Sequence, residues 1–170
     1  MTTVSDSSPL IVFSKAGGLW ILHELFGEIL IPPTVHLEVS AKRTNRPDVL
    51  DPGDEPWIRI CRLAPSDAPR AWLEELDPGE AEAIALAAQL GRDVTLLLDD
   101  RRGRRLARAH GLEVVGSAGT LVLAKTRGLI PAVKPVLDEL RLVGLSLGDE
   151  IDRRVLVLAD EEPQDLRSWP

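Results

Sequence analysis

Apolar positions along this chain keep two rhythms in turn. Short, nearly continuous apolar runs alternate with longer stretches whose apolar residues return every three or four positions, the patterns of buried strands and of amphipathic helices. A short strand around Val4 precedes "VFSKAGGLWILHELFG", where Leu10, Phe13, Leu19, Leu22, Leu25 and Phe26 keep helical spacing until Gly17 and Gly18 interrupt it; the pattern predicts a broken helical pair. "EILIPP" reads as a strand, and its double proline can open the helix "TVHLEVSAKR", because proline is tolerated in a first turn. Residues 44–78 hold six of the 13 prolines around the alternating segment "WIRICRL", which predicts a surface excursion with one edge strand.

The second half repeats the alternation. "LDPGEAEAIALAAQLG" predicts a helix: Asp77 and Gly79 precede an alanine-rich run, Glu80 and Glu82 complement the positive end of its dipole, and Gly91 stops it. "DVTLLLDD" is apolar throughout, as a strand covered on both faces must be, and ends in two acids. The helix "RRGRRLARAHG", the strand "LEVVG" and the helix "SAGTLVLAKTRG" follow, the last with Ser117 as its expected N-cap, and "IPAVKPVLDELR" and "LGDEIDRRVLVLADE" add two helical pieces. Strands alternating with helices imply an α/β fold with a mostly parallel sheet, in which ligands bind beyond the carboxyl ends of the strands. Asp6 and the Asp99–Asp100 pair occupy that kind of position.

Composition narrows the chemistry. At 170 residues, 44% hydrophobic, the chain is one domain's worth and can bury a core without disulfides or a structural metal. A net charge of −7 and only 4% aromatic residues argue against a surface that grips nucleic acid everywhere or stacks splayed bases. Cys61 is the only cysteine, no apolar run reaches 18 residues and no secretory leader pattern is present, so a cytoplasmic protein with no membrane segment is expected.

The acids stand out by placement: Asp6 after the first strand, Glu38 in the helix after the second, Glu80 opening the alanine-rich helix, and Asp99 with Asp100 after the apolar strand. Each has an ordinary alternative. Asp6, Asp99 and Asp100 can cap helices, Glu80 can complement a dipole, Glu38 can be a solvated helix residue, and Glu82 is read as surface. Were the others to converge at one sheet edge, their mutual repulsion would cost stability unless a divalent cation reversed its sign. All-oxygen ligands suit Mg²⁺ or Mn²⁺, and such ions can activate water or stabilise the oxygens of phosphodiester cleavage. Arg101, Arg102 and Arg104, in a basic run with no intervening acid, are either a solvated face or the groups that hold a nucleic-acid backbone beside that site. Arg105 and Arg108 are the arginines expected to turn toward packed surface.

Five blocks in order, "VSDSSPLIVFSKAG", "ILIPPTVHLEV", "LDPGEAEAIALA", "LLLDDRRGRRLA" and "GSAGTLVLAKTRGLI", resemble PIN-domain proteins, especially the nucleic-acid-binding branch related to the toxin nucleases of type II toxin-antitoxin pairs. The likeness spans residues 3–145. It implies a PIN-like domain over 1–145, with 146–170 as a C-terminal helical extension packed on it, and a Rossmann-like three-layer α/β/α sandwich. It also implies that Asp6, Glu38, Glu80 and Asp99 or Asp100 bind Mg²⁺ or Mn²⁺ to cleave single-stranded RNA, with Ser8 as an assisting hydroxyl. The "DD" pair departs from the single aspartate after a threonine common in PIN sequences, which leaves open which of the two binds metal. A homodimer and a small antitoxin partner are further implications. The expected function is therefore a metal-dependent ribonuclease, the toxin of such a pair. The alternative is a noncatalytic module whose acidic groove engages a basic segment of a partner protein. A phosphoacceptor receiver domain fits less well, because Lys125 falls inside a predicted helix rather than after a strand.

Overall fold

The computed structural model describes residues 2–42, 51–64 and 76–161, the side chain of Asp149 excepted. The strands β1 (Thr2–Ser5), β2 (Ile29–Ile31), β3 (Ile58–Ile60), β4 (Val94–Leu97) and β5 (Glu113–Val115) form one sheet in the order β3-β2-β1-β4-β5. Every pairing is parallel. The helices are α1 (Ser7–Lys15), α2 (Leu19–Phe26), α3 (Pro33–Ala41), α4 (Pro78–Leu90), α5 (Arg101–Ala109), α6 (Ser117–Thr126), α7 (Val133–Leu142) and α8 (Asp149–Leu158). The fold is thus the expected α/β class, with a parallel sheet joined through helices. The parts of the 44–78 excursion at 44–50 and 65–75, and the last residues of the C-terminal extension, lie outside the described residues; the "WIRICRL" segment supplies the edge strand β3.

Local chemistry explains the boundaries. Gly17 takes φ +71°, a left-handed conformation that glycine adopts without strain, and so ends α1 and re-aims the chain into α2. Pro33 sits in the first turn of α3, where its missing N–H costs nothing. β4 is buried along its whole length, and Leu96, Leu97 and Leu98 join Phe13, Leu22, Ile29 and Ile84 in the core. The small side chains of α4, among them Ala83 and Ala87, are fully buried, so this helix packs closely and carries its first turn to the sheet edge.

Strand order matters most for function. β1 is central: the chain runs outward to β2 and β3 on one side, then returns to lay β4 and β5 on the other. The crevice where this order reverses, beyond the carboxyl ends of β1 and β4, is where open parallel sheets bind ligands. Ser5 pairs with Leu97 in register, and Asp6 N–H donates to Leu97 O at 2.9 Å, so the residues that follow both strands emerge together.

The C-terminal elements are tied to the end of α6 and to one another. Lys125 Nζ donates to Ala159 O at 2.6 Å and to Glu161 Oε1 at 2.9 Å, and Glu161 accepts the free N–H groups of Val133 and Lys134 at the start of α7. Arg141 of α7 pairs with Asp152 of α8. Among the described residues no helix is long and apolar enough to cross a membrane.

Candidate active site

Asp6 is the cap of α1, the ordinary reading given to it. Its Oδ2 accepts Ser8 N–H at 3.3 Å and so caps α1, while its Oδ1 is buried with no hydrogen-bond partner. The residue is 1% exposed. Burial pushes its carboxyl up from 3.8 to about 6, the N–H groups of Ser7 and Ser8 partly offset that, and the negative charges of Glu38 and Asp99 add to it. An orphaned carboxylate oxygen in a buried, acid-rich site is an expensive arrangement in the absence of a cation.

Glu38 comes from α3 and lies against the first turn of α4. A methyl group at Gly79 would stand 2.5 Å from Glu38 Oε1, so the approach depends on glycine there. One residue on, Glu80 is half-buried, and burial followed by the charges of Asp100, Asp6 and Asp77 pushes its carboxyl up from 4.5 to about 7. The two acids after β4 divide the work. Asp100 accepts Gly103 N–H at 2.6 Å, capping α5, and acts electrostatically on Glu80. Asp99 reaches the start of α6, where Ser117 donates its N–H to Oδ1 at 2.7 Å and its hydroxyl to Oδ2 at 2.6 Å. Burial raises the Asp99 carboxyl, partly countered by those Ser117 bonds and by Arg104.

The structure therefore gathers the five acids singled out from the sequence: their charges act on one another, although they come from β1, α3, α4 and the end of β4. A cavity of about 730 Å³ opens beside Glu80, Asp99 and Asp100, with Ser8, Arg101 and Arg104 also in its lining. Asp6 and Glu38 are not part of that lining. Among the described residues, no three His, Cys, Asp or Glu side chains are placed to hold a metal ion as they stand.

Three local expectations change. Ser117 is not the N-cap of α6: Gly116 holds that place without a side chain to offer, and Asp99 satisfies the helix's first N–H from across the sheet edge. Glu82 is not a bystander, since its Oε2 accepts Thr34 N–H at 3.2 Å and ties α4 to the first turn of α3. Among the arginines, Arg104 is the one tucked in. A methyl at Gly116 would stand 2.8 Å from Arg104 Nη1 and 3.1 Å from Asp99 Oδ1, and the Arg104 Nε is buried without a partner. Arg101, Arg102 and Arg105 are exposed, and Arg108 donates to Val114 O at 3.2 Å. Lys15 and Lys42, which sequence reasoning did not single out, also line the cavity.

A family model described as a PIN domain matches residues 2–161. The chain belongs to the PIN-domain family. Comparison with curated proteins gives no match, and comparison with solved structures gives none. PIN domains are generally nucleases acting on nucleic acids and usually rely on divalent metal ions. The donor set of this PIN domain, carboxylate oxygens with one buried acceptor unsatisfied, suits such an ion.

Gly79 offers a test of Glu38 that is separate from charge removal. Gly79→Ala should displace the Glu38 carboxylate, while helix propensity favours alanine by up to about 1 kcal/mol. Because the clash is with the far end of a turnable side chain, the variant should melt no lower than the parent yet act more slowly as a nuclease. Parental cleavage would mean that this placement of Glu38 is dispensable.

Proposed function

We propose that this PIN domain is a Mg²⁺- or Mn²⁺-dependent ribonuclease that cuts single-stranded RNA internally. The observation that carries the reading is the buried, unpartnered Asp6 Oδ1 facing a set of mutually repelling carboxylates at the switch point of the sheet. Asp6, Glu38, Glu80, Asp99 and Asp100 would hold the ion. Bound there, it supplies the positive charge that offsets their repulsion and draws a phosphodiester into an acidic protein.

The chain's own residues do the rest. Ser117 fixes the orientation of Asp99 with two donors, and Arg104 holds positive charge beside it. Glu80, Asp99 and Asp100 face the cavity, and the charge of Asp100 acts on Glu80, a repulsion that a bound cation would offset. Ser8 stands at the cavity wall as the assisting hydroxyl, and Arg101 and Arg102 are exposed where they can contact backbone phosphates. The sequence likeness supports a toxin role in a cytoplasmic toxin-antitoxin pair, with a homodimer and a small antitoxin protein as partners.

One observation favours the noncatalytic alternative: no three described carboxylates stand ready as a cage, so on the catalytic reading they must draw together on the ion. Titration calorimetry with Mn²⁺ separates the two, run alongside cleavage of a labelled single-stranded RNA in Mg²⁺, in Mn²⁺ and in EDTA. Saturable Mn²⁺ binding with metal-dependent cutting is expected. A chain that takes up no Mn²⁺ and leaves RNA whole in every buffer is instead the binding module.

A further inference from the structure

The cavity is not lined by acids alone, and its cations do not all come from the arginine run. Ser8, Ile11, Val12 and Lys15 line it together. These positions are spaced as one stripe of a helix, so α1 presents a continuous face that starts beside the Asp6 cap and ends at Lys15, a rise of about 10 Å. At the C-cap of α3, four residues beyond Glu38, Lys42 too lines the cavity. A lysine at a helix C-terminus ordinarily complements the dipole, which would account for either residue by itself. It does not account for both facing one cavity.

A further observation points to a ligand. Among the described residues neither lysine is engaged in an ion pair. In a chain of net charge −7, two unpaired cations brought from different helices to one cavity serve an anion that enters it.

We propose that Lys15 and Lys42 form a phosphate rail on the α1–α3 side of the cavity, holding the backbone of a single-stranded RNA at phosphates neighbouring the one that reacts. This rests on the ribonuclease reading and adds to it the path of the strand. Arg101 contacts the strand from the α5 side, and the two lysines fix where it continues.

The test is equilibrium binding of a fluorescent oligouridylate in EDTA, which prevents metal-dependent cutting, across a series of salt concentrations. The parent chain, Lys15→Ala/Lys42→Ala and Lys15→Arg/Lys42→Arg are compared, with melting curves to confirm that each is folded. Each phosphate neutralised on a single strand contributes about −0.7 to the slope of log K against log salt, so the double alanine variant should lose about 1.4 from the magnitude of that slope. The arginine variant should keep it. An identical slope in parent and alanine variant overturns the rail, even if affinity falls, because a packing defect changes affinity without changing the number of ions released. Failure of the parent itself to bind the oligouridylate in EDTA overturns the rail, whereas the ribonuclease reading fails only if the parent neither takes up Mn²⁺ nor cuts RNA with it, a separate outcome.

Discussion

Asp6→Asn is expected to reduce metal-dependent cleavage by roughly 10²–10⁴-fold, the several kcal/mol that a divalent ion contributes to phosphoryl chemistry. The fold should survive. Asparagine keeps an oxygen to accept Ser8 N–H, so α1 stays capped, and the amide NH₂ replaces the unpartnered oxygen with a donor among acceptors. What is lost is negative charge at a position whose nearest charged neighbours are Glu38 and Asp99. In EDTA at pH 8 the variant should therefore melt above the parent, while Mn²⁺ should raise the parent's melting temperature more than the variant's. Single-turnover cleavage of a labelled RNA and paired melting curves measure both effects. Parental cleavage by Asp6→Asn would remove Asp6 from the mechanism.

The second large effect is an inverted pH dependence of stability in the metal-free chain. The usual aspartate is stabilised by folding when ionised; Asp6 is the reverse, with a carboxyl pushed up to about 6 from 3.8. Below 3.8 folded and unfolded states both hold the proton. Between 3.8 and 6 the folded state keeps it and the unfolded state has lost it, so stability falls as pH rises through that window. Above 6 the loss is complete, and the interval corresponds to about 3 kcal/mol at 1.36 kcal/mol per pH unit. Glu80 acts in the same direction between 4.5 and 7, with solvent screening reducing its weight because it is only half-buried. Urea denaturation in EDTA from pH 4 to pH 8 should show the decline, and Asp6→Asn should flatten it. Mn²⁺ should restore stability at pH 8, where both carboxyls are already ionised, and have less effect at pH 5, where binding must first displace their protons. A parent and variant with parallel pH profiles would show that Asp6 ionises without cost.

How far the site was legible depended on how local each signal was. Capping motifs, proline and glycine boundaries and the apolar-rich, fully buried β4 are written in adjacent residues, so the elements appear in order. The acids could be picked out because each follows a strand or opens a helix, positions readable from the same short windows. The "DD" pair resisted, because both residues have the same local setting; only the arrival of α6 on one side and α4 on the other distinguishes them. Arg104 was grouped with Arg101 and Arg102 by its neighbours in sequence, and its inward turn reflects the Gly116 backbone that leaves room for it. Lys15 and Lys42 carried no signal at all, since a lysine ending a helix is ordinary until a cavity is found beneath it.

By itself the sequence determined the alternation of strands and helices, the all-buried character of β4 and the acids at the ends of elements, because these follow from backbone propensity and hydrophobic period over a few residues. The tertiary structure decided the strand order. β2 and β4 are both short apolar-rich runs, and nothing in either states that both will flank β1. That choice brings the end of β4 beside Asp6, seats Glu38 over Gly79 and gathers carboxylates whose repulsion then calls for a cation. Charge proximity is a property of through-space distance, and only the completed sheet sets it.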